Sequence, residues 1–204
     1  GCAPVADRIV NSLKRLEYRG YDSTGLAVVN DNQVALRKVV GKIANLENKI
    51  KLEPAPGMIG IGHTRWATHG EPAVRNAHPM LVDGIAVVHN GIIENHATLR
   101  RKLIKEGYNF QSDTDTEVIP SLISSYMKRG MTYKEAVLET LNTLEGAFAV
   151  GVMFSDNPNL LIGFRRGAPL AIGIGKGEMY LGSDALALSP FTDKIIYLDE
   201  NEIA

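Results

Sequence analysis

The strand-like runs of this chain come in pairs joined by links too short to cross over a sheet, and that limits the fold more than any other feature. Residues 23–30 and 33–40 read as two strands around the turn Asn30-Asp31-Asn32. In the second half, runs at about 147–154, 160–165, 170–174, 178–183 and 194–198 follow one another. Asp156-Asn157-Pro158 and Gly175-Lys176-Gly177 mark turns between some of them. A parallel pair needs a connection of about a dozen residues or more, whereas hairpins give antiparallel pairs. Two further strands are expected at 58–64 and 85–89, each leading into a polar loop.

Helical periodicity fills the rest. Residues 4–17 place Val5, Ile9, Leu13 and Leu16 on one face, with Gly20 beyond the end. Ile43, Leu46 and Ile50 mark a short helix. A helix over 96–106 is closed by Gly107. Another spans 116–128, burying Val118, Ile119, Leu122, Ile123 and Tyr126, with Pro120 tolerated in its first turn. Thr132-Tyr133-Lys134-Glu135 has the form of a capping box opening a helix to Leu144. Helices clustered mid-chain between strand meanders predict a layered α+β domain rather than a doubly wound parallel sheet.

Composition removes several function classes. A formal net charge of −1 over 204 residues provides no field for nucleic acid or an anionic membrane. The longest apolar runs, such as 147–154, are far too short to span a bilayer. The one cysteine, Cys2, cannot form an internal disulfide, which leads to the expectation of a reducing, cytoplasmic setting. His63, His69, His78 and His89 are spaced unlike any short metal-ligand motif, so neither a metal nor a cofactor is expected. Gly173-Ile174-Gly175-Lys176-Gly177 lies between strands rather than before a helix, which argues against dinucleotide binding.

Three polar segments carry chemistry. The loop 63–72 packs Arg65, Trp66, Thr68 and two histidines behind a strand, where ligand contacts concentrate. His89-Asn90-Gly91-Ile92-Ile93 follows an apolar strand; Asn-Gly ordinarily means a hairpin turn, but the apolar residues after it fit a hairpin poorly. An asparagine amide beside a glycine N–H also forms a two-donor pocket for an oxyanion. Ser112-Asp113-Thr114-Asp115-Thr116-Glu117 precedes a helix, so one member is expected to be its N-cap while a neighbouring carboxylate can face an ammonium group.

Leu16-Glu17-Tyr18-Arg19-Gly20-Tyr21-Asp22-Ser23, the loop 63–72, residues 89–96 and Thr114-Asp115-Thr116-Glu117, taken in order, resemble the glutaminase half of the glucosamine-6-phosphate synthases. Arg166-Gly167-Ala168-Pro169-Leu170 and Ser183-Asp184-Ala185-Leu186-Ala187 fit the same family. Arg65-Trp66-Ala67-Thr68-His69-Gly70 is shared more loosely with other class II glutamine amidotransferases. The resemblance implies one glutaminase domain over 1–204 with the four-layer α/β/β/α sandwich of N-terminal-nucleophile hydrolases, two mainly antiparallel sheets between helix layers. It implies that a cysteine attacks the amide of L-glutamine and that ammonia is channelled to an isomerase half holding fructose-6-phosphate, in a homodimeric enzyme.

Carried over by the resemblance, Asn90 and Gly91 form the oxyanion hole. Arg65 pairs with the glutamine carboxylate, and Thr68 and His69 add contacts. Asp115 accepts from the substrate ammonium, and Trp66 gates the ammonia path. His78, His89 and Arg19 support the site. The family's nucleophile stands in Cys-Gly-Ile on a first strand. Here Cys2 follows Gly1 and is followed at once by Ala3-Pro4 and a helix. Cys2 is therefore expected to be an inert thiol in the loop after that strand, with the strand itself upstream of Gly1 and the isomerase domains downstream of Ala204. The alternatives are another class II enzyme, such as an amidophosphoribosyltransferase, and a non-catalytic glutamine-binding module.

Overall fold

The structure, a computed structural model, describes residues 4–66 and 70–204. The chain opens with helix α1 (Ala6–Leu16), then the hairpin β1 (Ser23–Asn30) and β2 (Gln33–Val40), helix α2 (Ile43–Leu52) and strand β3 (Ile59–Arg65). Strands β4 (Met80–Val82) and β5 (Ile85–Ile93) follow, then α3 (His96–Lys105), α4 (Val118–Lys128) and α5 (Tyr133–Thr143). Strands β6 (Gly146–Phe154), β7 (Asn157–Arg166), β8 (Ala171–Ile174) and β9 (Met179–Gly182), helix α6 (Ala185–Leu188) and strand β10 (Ile195–Tyr197) complete it.

Local chemistry sets the turns. Asp31 and Asn32 both take positive φ, 49° and 59°, so that Asn30 pairs with Gln33. Two left-handed residues make the turn whose twist matches the flanking strands, and Asp and Asn accept that backbone best after glycine. Asp83-Gly84 does the same between β4 and β5, at φ 48° and 79°. That hairpin was not expected from the sequence, because Met80–Val82 is too short to show a period. Thr132 and Glu135 form the expected reciprocal capping box on α5. Beyond α3, Gly107 at φ 95° lets Tyr108 N–H reach the carbonyl of Leu103, which satisfies an otherwise orphaned helix end.

All named strand pairs are antiparallel, in the orders β2-β1-β3, β4-β5-β6-β7 and β10-β8-β9. Strand alternation builds the layers. On β1, Leu26 and Val28 turn toward α1 and α2, packing with Val10, Leu13 and Leu46. Ala27 and Val29 turn the other way, meeting Ala86 of β5 and Met153 of β6. Ile85, Val87, Val150 and Val152 leave the second sheet on its far face to pack with Ile119, Leu122 and Ile123 of α4 and with α3 and α5. The succession is therefore helix, sheet, sheet, helix, as expected.

Backbone pairing divides the first sheet layer in two. The β10-β8-β9 sheet lies beside β2-β1-β3 on the same face of the second sheet, with Leu181 seated against Gly151 and Gly163 of β6 and β7. Arg8 of α1 ties it down with two bonds to the Glu178 carboxylate at 2.9 Å. The edge strands β3 and β9 thus face one another across a gap. No described helix is long and apolar enough to cross a membrane.

One strand ends elsewhere than expected. β5 does not stop at His89 but runs on through Asn90 and Gly91 to Ile93, all paired with β6. The Asn-Gly pair is not a turn, because Gly91 at φ 115° is held within the ladder opposite Phe148. The segment 112–117 supplies the N-cap of α4, as expected, although no side chain caps the helix. Its N-cap is Glu117, whose carboxylate instead accepts from the N–H groups of Gln111 and Ser112 at 2.8 and 2.6 Å, closing the loop on itself.

Candidate functional site

The gap between β3 and β9 is a cavity of about 600 Å³, roofed by α1 and floored by β5 and β6. Arg65 and Trp66 reach it from the end of β3, Asn90 and Gly91 from β5, and Asp115 from the loop before α4. These five sequence-selected residues therefore share one cavity although they come from three separate parts of the chain. Thr68, His69 and Cys2 lie outside the described residues.

Arg65 is 4% exposed. Its Nη2 donates to the Gly70 carbonyl at 2.9 Å, and Nη1 approaches the Glu71 carbonyl and Asp22 Oδ1, each at 3.5 Å. The guanidinium thus grips the far end of the loop that Arg65 itself begins. Asp22 is stitched in by its backbone, its N–H donating to Arg65 O at 2.8 Å. A planar, permanently charged fork suits both this bracing and a ligand carboxylate.

Asp115 is 3% exposed, and its Oδ2 accepts the Ile93 N–H at 2.8 Å. This bond fixes the carboxylate against the end of β5, beside Asn90 and Gly91. Asn76 holds the preceding loop to the same region: its amide donates to the Glu71 carbonyl and to Asp113 Oδ2, and its oxygen accepts the Asp113 N–H at 2.9 Å. Trp66 is 69% exposed at the cavity lip, its ring seated on Gly20, where a Cβ would come within 2.0 Å of the indole. Next to it, Arg19 bonds Ser183 and Asp184, tying the block after α1 to the start of α6.

A histidine cluster lines the cavity, with His78 and His89 buried and His63 half-buried. The rings of His63 and His78 are 4.4 Å apart, and those of His78 and His89 are 6.3 Å apart. Thr116 Oγ1 bridges His89 Nδ1 at 2.9 Å and His78 Nε2 at 3.0 Å, while His63 Nε2 bonds Asn90 Oδ1 at 2.7 Å. Burial pushes His63 down to about 4, against the opposing pull of its bond to Asn90. Burial, then the neighbouring His63 and His89, hold His78 well below the ordinary imidazole value. Both rings are therefore neutral near pH 7.

These folded-state values lie below the unfolded 6.5, so their contribution to stability is whole above about pH 6.5 and is lost as pH falls toward 4. Each such histidine should steepen the loss by about 1.4 kcal/mol per pH unit in that window. Urea denaturation between pH 7 and 4.5 should show it, with His63→Gln flattening the slope by about one proton. An unchanged slope would mean that His63 takes up its proton without unfolding.

Reasoning from sequence did not find Asp22, Asn76 or Thr116 as parts of this site. Asp22 and Thr116 lie in polar blocks that were conspicuous, but their roles depend on partners 43 and 38 residues away. Asn76 sits in a short loop with no distinguishing pattern.

A family described as a glutamine amidotransferase domain matches residues 63–190. Glutamine–fructose-6-phosphate aminotransferase (isomerizing) of Agrobacterium fabrum is 53% identical over 204 residues, covering all of this chain and 34% of that protein. The protein of the same name from Brucella suis is 54% identical over 200 residues, covering 98% and 33%. The chain thus spans about a third of the length of the curated relatives it matches. Among solved structures, glutamine phosphoribosylpyrophosphate amidotransferase from B. subtilis superposes with a TM-score of 0.77 at 28% identity, covering 95% of this chain and 42% of that one. A structure described as the allosteric regulatory enzyme of purine biosynthesis gives a TM-score of 0.79 at 27% identity, covering 96% and 42%.

Proposed function

Because the chain belongs to the glutamine amidotransferase domain family, we propose that it is the ammonia-producing part of a longer enzyme that moves the amide nitrogen of glutamine onto fructose-6-phosphate. The observation that carries this reading is the convergence of Arg65, Asp115, Asn90 and Gly91 on one cavity. A buried cation and a buried anion there suit the carboxylate and ammonium of a free amino acid. A carboxamide and a glycine N–H beside them suit the oxyanion of an attacked amide. Identity of 53% along the whole chain favours the fructose-6-phosphate enzyme over a phosphoribosyl one, for which the solved relatives are 27–28% identical.

In this reading Arg65 holds the glutamine carboxylate and Asp115 the ammonium, with Thr68 and His69 adding contacts. Asn90 Nδ2 and the Gly91 N–H stabilise the oxyanion, and Trp66 moves with the ammonia path. A cysteine thiolate adds to the amide carbon, and its displaced proton leaves with the nitrogen as ammonia. The resulting thioester is hydrolysed by water to glutamate. The nucleophile in this reading is a cysteine on a first strand, as in the family that the chain resembles, and not Cys2. The rest of the full-length protein would supply the isomerase half that holds fructose-6-phosphate, as a cytoplasmic homodimer.

The test is nitrogen transfer. The full-length protein, given glutamine labelled with ¹⁵N at the amide and fructose-6-phosphate, should place the label in glucosamine-6-phosphate. Label entering a phosphoribosylamine from phosphoribosyl pyrophosphate instead would favour the amidophosphoribosyltransferase reading. Glutamine binding without release of glutamate would make the domain a sensor.

A further inference from the structure

We propose that His63 is the positioning residue that sets which end of the Asn90 carboxamide faces the cavity. This rests on the oxyanion reading of Asn90 given above. A carboxamide has a donor end and an acceptor end of nearly equal size, and its terminal torsion is soft and roughly two-fold. Turned one way, Asn90 offers Nδ2–H to a developing negative oxygen. Turned the other, it presents Oδ1 and repels that oxygen. The backbone of β5 cannot choose between the two, because pairing with Ala149 fixes only where the side chain starts.

His63 makes the choice. Its Nε2 lies 2.7 Å from Asn90 Oδ1. Its Nδ1 is buried with no hydrogen-bond partner, so the ring makes its bonds through Nε2. An amide oxygen only accepts, so the Nε2 that faces Oδ1 has to be the donor. The neutral ring is therefore the Nε2–H tautomer, and Asn90 has to turn its oxygen toward it. Nδ2 is left pointing away from His63, on the cavity side. An inverted amide would set an N–H against an N–H and leave a donor unsatisfied.

The ring itself cannot rotate to suit an inverted Asn90. It is packed against His78 at 4.4 Å, and it stands on β3, whose register with β1 pairs His63 with Gly25. A Cβ on Gly25 would lie 2.3 Å from the His78 carbonyl, so the segment carrying His78 is pressed against the sheet at this point. Asn90 is thus oriented from a neighbouring sheet, through a residue that need not touch substrate.

The experiment uses the full-length enzyme and steady-state glutamate release from glutamine. His63→Gln retains a donor and His63→Met removes it at similar size, so their difference reads hydrogen bonding rather than packing. The expected result is that His63→Met lowers kcat about tenfold with KM within about twofold, while His63→Gln stays within about threefold of wild type. In a double-mutant cycle, His63→Met should cost nothing further on top of Asn90→Ala. Equal kcat for the Gln and Met variants, or losses that multiply in the double variant, would overturn the positioning role while leaving the oxyanion role of Asn90 intact. An Asn90→Ala variant with unchanged kcat would instead remove the oxyanion reading, and the positioning role with it.

Discussion

Alanine at Gly91 should destabilise the domain by about 3–5 kcal/mol, enough to abolish cooperative folding in a chain of ordinary stability. Two effects add. At φ 115° the residue sits where L side chains are strained, and a Cβ there would come within 2.1 Å of the Ala147 carbonyl and 2.8 Å of the Phe148 Cα. Both are backbone atoms of β6, so no side-chain rotation relieves the overlap. Gly107→Ala is the matched control: its φ is 95°, but nothing lies within 4 Å of the added methyl. It should cost only the backbone strain, about 1 kcal/mol. Urea titration of both variants separates the two contributions. A Gly91→Ala variant no less stable than Gly107→Ala would show that β5 can be prised from β6 at this point.

Asn90→Ala in the full-length enzyme is expected to lower kcat for glutamate release by about a hundredfold, corresponding to about 3 kcal/mol of barrier, with little change in KM. A ground-state amide oxygen needs little help from a second donor, whereas the tetrahedral oxyanion needs it fully. Asn90 is partly exposed, so its removal should leave the fold intact, and thermal denaturation provides that check. A KM raised about a hundredfold at constant kcat would make Asn90 a binding residue and leave the oxyanion to other donors.

The architecture was legible wherever local chemistry settles the backbone. Asn30-Asp31-Asn32 located the first hairpin, and Thr132 with Glu135 located the start of α5. Met80–Val82 escaped notice because a three-residue strand has no period, although Asp83-Gly84 marked its turn. α6 escaped for the same reason, with only four residues. The end of β5 was misplaced because Asn-Gly signals a turn when read alone, and only pairing with Phe148 and Ala149 makes it a strand. Within the site, Arg65 and Asp115 stood out as charges in loops beside regular elements. His63 gained its role from Asn90, 27 residues further on and in another sheet, and no local pattern encodes such a contact. The division of the first sheet layer was likewise invisible, since it depends on which edges fail to meet.

The seat of Trp66 on Gly20 has a practical consequence. The chain holds a single tryptophan, so its ultraviolet-excited emission comes from one known place. That place is the lip of the cavity, where the indole is bounded by a bare glycine on one side and by solvent on the other. The colour of that emission therefore acts as a built-in optical probe of the cavity mouth, readable without dyes or labels.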